Sequence, residues 1–116
     1  KAAFLLQEGA EAATLLRDTG WSSFASLTSG TRYHLSWNGS MWVATTTPVL
    51  ADTVFTRTIL LDDVYRRNSD KDIVASTSPD AKSLDSNTKK LTVRVTASST
   101  PALDKSIVTY LTNLSE

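Results

Sequence analysis

The hydrophobic pattern of this chain changes period once, near Gly20-Trp21. Before that point the segment KAAFLLQEGAEAATLLRDT, residues 1–19, is rich in Ala, Leu and Glu. At about 100° per residue, Ala2, Leu5, Leu6, Gly9, Ala12, Ala13 and Leu16 fall on one broad face, as a helix covering a sheet requires. Beyond it the apolar residues alternate with polar ones: Tyr33, Leu35 and Trp37 with Arg32, His34 and Ser36, then Leu91, Val93 and Val95 with Thr92, Arg94 and Thr96. That is the two-residue period of strands with one covered face. A helix followed only by strands joined through hairpins implies an α+β layer pair, with the N-terminal α-helix packed on an antiparallel β-sheet of four to five strands.

The expected strands are 31–37, 41–45, 54–65 and 89–97, closed by 105–112. Asn38-Gly39 is expected to form a tight two-residue hairpin turn with positive φ at both positions. Arg57 interrupts the apolar face of Phe55, Ile59 and Leu61, so it is expected near an edge of the sheet. Residues 66–90 are polar and turn-rich and are expected to be the most mobile part, a loop broken by a short piece at Ile73-Val74-Ala75. With 116 residues, the chain reads as a single domain, 1–116, divided into the helix (1–19) and a sheet region (31–112).

Charge narrows the function. Twelve Lys and Arg against twelve Asp and Glu leave no net charge and a pI near 6.8, so the electrostatic footprint of a nucleic-acid binder is missing. Cysteine is absent, which removes disulfides and thiolate metal sites. No stretch approaches the roughly 20 consecutive apolar residues of a membrane-spanning helix, and no secretory leader is recognisable, so the residues are expected to be soluble.

The chemical motifs are fragments. His34 is the single histidine, and no G-x-S-x-G elbow accompanies it, so a Ser-His-Asp triad is not expected. Ser86-Asn87-Thr88-Lys89 matches S-x-x-K but reads as a turn before a strand, without the companion motifs of that chemistry. Asn68, Asp70 and Asp72 have the spacing of the first calcium-loop ligands. Ile73 stands where the Gly is needed, however, and Pro79 where the bidentate Glu is needed. No catalytic, cofactor or metal residue is assigned. Asn38-Gly39-Ser40 and Asn113-Leu114-Ser115 match the glycosylation sequon, a short pattern that the hairpin turn already explains in the first case.

Both sides of the helix carry information. Nothing before Ala2 is a capping residue, so the helix is expected to continue a longer one that begins upstream of Lys1. Phe4 and Leu15 lie opposite the sheet-facing residues, among Gln7, Glu8, Glu11 and Asp18. Two readings stand: a second, intermolecular packing face made by Phe4, Glu8, Glu11 and Leu15, or a Phe4 bared by the cut helix with Leu15 under a loop.

In the order of its elements the chain resembles the soluble domain of a type IV pilin-like protein, a minor pilin or type II secretion pseudopilin. The likeness is carried by Gln7-Glu8-Gly9 through Leu16-Arg17-Asp18 and Gly20-Trp21. It continues in Phe55-Thr56-Arg57-Thr58, in Asp62-Asp63-Val64-Tyr65-Arg66, and in Asp85-Ser86-Asn87-Thr88-Lys89-Lys90 leading into Leu91-Thr92-Val93. Thr109-Tyr110-Leu111-Thr112-Asn113 completes it. The resemblance implies a filament subunit, anchored in the membrane before assembly by an apolar helix half missing from these residues and processed by a prepilin peptidase. Its partners would be other pilin or pseudopilin subunits, met through the helix, and the membrane assembly machinery. Its place would be the cell surface or an extracellular filament, with no cofactor. The alternative is an extracytoplasmic binding module in which Tyr33, Trp37 and Trp42 form an aromatic platform for a glycan or peptide.

Overall fold

The computed structural model describes residues 2–51, 55–98 and 102–113. Two helices, α1 (Ala2–Thr19) and α2 (Trp21–Ala25), precede seven strands. These are β1 (Arg32–Trp37), β2 (Trp42–Thr45), β3 (Leu50–Ala51), β4 (Phe55–Arg67), β5 (Ile73–Val74), β6 (Lys82–Ala97) and β7 (Leu103–Thr112). The sheet runs β2-β1-β4-β6-β7, antiparallel throughout, and the two-residue strands β3 and β5 pair with β4. The class is α+β, as the change of period requires. The five strands of the main path match the expected count, and β3 and β5 are additions on the margin of β4. Val54, expected to open the third strand, lies outside the described residues.

The core forms where the helix meets the two long central strands. Cα register sets Arg57 opposite Val95, Ile59 opposite Val93 and Leu61 opposite Leu91. Over them lie Leu5, Leu6, Gly9, Ala12 and Ala13, all buried. The small residues bring the helix backbone down onto the sheet. A Cβ on Gly9 would stand 2.7 Å from Val93 Cγ1 and 3.2 Å from Arg57 Cδ, inside ordinary contact distance. Leu16, expected on the buried face, is only partly covered. Here α2 and the β1–β2 hairpin leave an apolar groove of ≈ 320 Å³ beside it, with Phe24 at its base.

Three local expectations are corrected. The Asn38-Gly39 hairpin is a four-residue loop, 38–41, closed by the Trp37–Trp42 pair. The Asn38 side chain explains the extra length, since Oδ1 accepts from Ser40 N–H and Met41 N–H at 2.9 Å each and takes over the turn's hydrogen bonding. Only Gly39 has positive φ there. Arg57 lies at no edge: β4 is the middle strand, and Arg57 is 4% exposed. Finally, the loop is shorter than 66–90: β4 continues to Arg67 and β6 begins at Lys82, so the two strands extend as a pair and leave a loop at 68–81, broken at Ile73–Val74 by β5.

That two-stranded extension is polar because charge pairs hold it. Arg66 Nε donates to Asp85 Oδ2 (2.7 Å), while Arg67 donates to Asp70 (2.7 Å) and Asp80 (2.8 Å). The β4–β6 register breaks between Asp63, opposite Lys89, and Val64, opposite Asp85. Residues 86–88 therefore have no partner on β4, a bulge within β6, while Thr88 still pairs with Thr112 on β7. Asp85 ties the bulge, accepting from Asn87 N–H (3.0 Å) and Thr88 Oγ1 (2.8 Å).

Two outcomes follow. Gly9→Ala adds a methyl against a fully buried Val93, and overpacking of this kind costs about 1–3 kcal/mol. The gain in helix propensity, about 1 kcal/mol, is smaller, so the urea midpoint should fall. A rise would show that the helix has room to lift. The second outcome concerns acid. The Arg66 hydrogen bond holds the Asp85 carboxyl below its ordinary value, helped by Thr88 and Asn87 and opposed by partial burial. A depressed folded-state pKa contributes stability that is present above the unfolded value of about 3.9 and lost as pH falls through the folded one. Thermal melts taken downward from about pH 5 should show this loss, and Asp85→Asn should make the acid slope shallower. An identical slope in the variant would remove Asp85 from the account.

Candidate functional site

Helix α1 presents two sides, and the sheet covers one. On the other side Phe4 is 58% exposed and Leu15 is 56% exposed, with Glu11 exposed between them. The geometry leaves little choice, because one straight helix lying on one sheet cannot bury opposite faces. Of the four residues assigned to an assembly face, Phe4, Glu11 and Leu15 open to solvent. Glu8 is placed differently.

Glu8 sits at the margin of the interface, 33% exposed, and its Oε1 accepts from Arg57 Nη1 at 2.5 Å. The same Nη1 donates to the Leu5 carbonyl oxygen at 3.4 Å. The guanidinium carbon lies 5.2 Å from the centroid of a Trp42 ring, within cation–π range. Arg57 Nε is buried without a hydrogen-bond partner. One buried cation thus draws on a helix carboxylate, a helix carbonyl and an indole from the hairpin. Hydrophobic periodicity misses this set, because it places Glu8 among solvent-facing polar residues and Arg57 at an edge.

Leu15 does not stand alone. It borders a second groove with Leu16, Trp37, Met41 and Trp42, so the outer face of the helix runs at its C-terminal end into the exposed Trp37 and Met41 of the hairpin loop. Phe4 stands near the other end of the helix. The face is an apolar patch at one end and an exposed aromatic at the other, joined by a polar stretch.

The proposed aromatic platform is dispersed. Trp42 is half-buried against Arg57, and Tyr33 is half-buried with its hydroxyl accepting from Thr28 N–H at 2.9 Å. Trp37 is exposed and meets Trp42 edge-on, with ring centroids 5.7 Å apart and planes at 68°. A T-shaped pair offers no shared flat surface.

The fragmentary motifs stay apart. His34 is opposite Thr58 and Thr45, and its Nδ1 is buried without a partner. Ser86 lies in the β6 bulge, and Lys89 Nζ donates to Asp63 at 2.6 Å, five residues further along β4 than Thr58. Asn68 Oδ1 accepts from Ser83 Oγ, while the Asp70 carboxylate accepts from Arg67, which also lies 4.0 Å from Asp72. No group of three or more His, Asp or Glu converges as metal ligands among the described residues. Asn38 is exposed in the hairpin loop. Leu114 and Ser115, the rest of the second sequon, lie outside the described residues.

Comparison with protein-family profiles, with curated protein sequences and with solved structures finds no match. The distinction between Glu8 and Glu11 is open to direct test. Removing one partner of a buried ion pair costs about 3–5 kcal/mol, and the partial exposure of Glu8 lowers that, so Glu8→Ala should destabilise the fold by roughly 2–3 kcal/mol. Glu11→Ala should stay within about 0.5 kcal/mol. Equal effects in chemical denaturation would mean that the Arg57 contact adds nothing to the helix–sheet interface.

Proposed function

We propose that this chain is the globular part of a pilin-like filament subunit, of a type IV pilus or a type II secretion pseudopilus, that assembles through the outer face of α1. The observation that carries the reading is the two-sided helix. Its inner face of Leu5, Leu6, Gly9, Ala12 and Ala13 is buried, while Phe4 and Leu15 are more than half exposed on the opposite side. Full burial of side chains of this size contributes roughly 1.5–3 kcal/mol each, which a helix packed among neighbouring helices in a filament would recover. Support also comes from the order of elements, an N-terminal helix laid across an antiparallel sheet, which is the outline the pilin-like resemblance implies.

On this reading the partners are further copies of the subunit or related subunits, together with the membrane machinery that polymerises them. The filament lies at the cell surface or outside it. No described helix is long and apolar enough to cross a membrane. Catalysis and cofactors have no part in this function.

The test compares the intact protein, including any segment upstream of Lys1, with its Phe4→Ser/Leu15→Ser variant. Incorporation into filaments should fall at least about tenfold, the consequence of losing roughly 1.4 kcal/mol or more per contact. The isolated domain should keep its unfolding midpoint to within about 0.5 kcal/mol, since both side chains are exposed. Unchanged incorporation would remove the assembly face. A large loss of stability in the isolated domain would make both residues part of the core.

A further inference from the structure

The sheet surface away from the helix holds a second feature, at the register break. Leu61 and Leu91 are Cα partners buried beneath α1, so the next pair along, Asp62 and Lys90, points to the opposite face. Tyr110 is the Cα partner of Lys90 on β7 and extends the same row. Along β4, strand β1 ends its pairing at Leu60 and β5 begins its own at Tyr65, so residues 61–64 have no strand on that edge. Gly30 N–H reaches in, donating to the Leu61 carbonyl oxygen at 3.0 Å. The gap and the row together make an open cleft of ≈ 630 Å³, lined among others by Ser29, Asp62, Tyr65, Ser76, Lys90 and Tyr110.

Its chemistry is balanced. Asp63, on the rim, is neutralised by Lys89 at 2.6 Å. Asp62 and Lys90 face each other across the strands yet form no ion pair, and neither they nor Tyr110 have another side-chain partner among the described residues. The cleft therefore offers a free carboxylate acceptor, a free ammonium donor, hydroxyls and a 44%-exposed tyrosine ring. An anion such as a nucleotide phosphate meets a carboxylate, and a metal cation meets an ammonium group. An extended peptide finds four residues of open edge, too few for strand addition. A neutral ligand dense in hydroxyls, with an apolar C–H face for the tyrosine, satisfies all the groups at once.

We infer that this cleft is a binding site for a neutral saccharide of one to three rings. Asp62 accepts from vicinal hydroxyls, Lys90 donates to ring or hydroxyl oxygens, and Tyr110 stacks on the C–H face of one ring. The site lies on the side of the sheet opposite α1, so it is independent of the filament reading and open to ligand in a free or an assembled subunit.

The test is a titration of the isotopically labelled chain, followed by amide nuclear magnetic resonance, with maltotriose, cellotriose and triacetylchitotriose. A blocked triserine peptide serves as the hydroxyl-bearing control. At least one trisaccharide should shift the amides of residues 62–65, 73–76 and 110 saturably, with a Kd on the order of 1 mM, ordinary for an open site. Asp62→Asn and Tyr110→Ala should each weaken that binding about tenfold, with far-UV spectrum and melting temperature unchanged; Lys90→Met, tested the same way, covers the case in which either variant misfolds. Absence of saturable shifts with all three sugars overturns the inference. So does binding that survives the Asp62→Asn/Tyr110→Ala double variant, or equal shifts from the triserine peptide.

Discussion

Arg57 carries a charge into the middle of an apolar helix–sheet interface, and the helix is placed by what that charge requires. A guanidinium taken out of water is costly unless its donors are met. The Leu5 carbonyl, the Glu8 carboxylate and the Trp42 ring meet it from two different elements. Leu5 and Glu8 are three residues apart, so both reach the same Nη1 in one helical turn. Gly9 follows directly, above the Arg57 stem, where a Cβ would not fit. The ion pair and the close approach thus select one axial position of α1 over the sheet. Sliding the helix by a turn would strand the cation.

The same placement explains why the outer face of the helix is left open. With its small residues turned inward against Val93 and Arg57, α1 has only Phe4 and Leu15 as large apolar groups on the far side. The sheet, α2 and the hairpin are all packed behind or beside it. Leu15 continues into the hairpin's Trp37 and Met41, while Trp42 is held back by the cation. The helix, the hairpin and the buried arginine therefore form one mechanical unit, and the proposed assembly surface is its exterior.

At the other end of the sheet the organising device is the bulge at 86–88. Three β6 residues without a partner on β4 break the β4–β6 ladder, and Asp85 gathers Arg66, Asn87 and Thr88 around the break. Beyond it the strands run on past the helix, held by charge pairs in place of an apolar core. The interruption of pairing on the opposite edge of β4, between β1 and β5, opens the cleft over Asp62 and Lys90. The two proposed surfaces occupy opposite faces of the sheet, so occupation of one leaves the other accessible.

Much of the fold was legible because it rests on local periodicity. The extent of α1, the inward side of Leu5, Leu6, Ala12 and Ala13, the exposure of Phe4 and Leu15 and the strand nature of 91–95 all follow from which residues recur at 3.6 or at 2. The misreadings share a cause. Glu8 looks solvent-facing and Arg57 looks like an edge residue when each is read alone, and they become partners only when positions 49 residues apart are brought together. Arg66 and Asp85 look like loop residues until they face each other across a strand pair, and Asn38 reads as half of a tight turn until its side chain takes over the hydrogen bonding. Asp62, Lys90 and Tyr110 belong to three strands, so no window of sequence contains their cleft. The sequence by itself determined which segments are helix or strand and which side chains each presents to a neighbouring layer. Only the tertiary structure decided which charges pair, where the sheet breaks register and which faces stay open, because those depend on partners distant in the chain whose contacts outweigh local propensity.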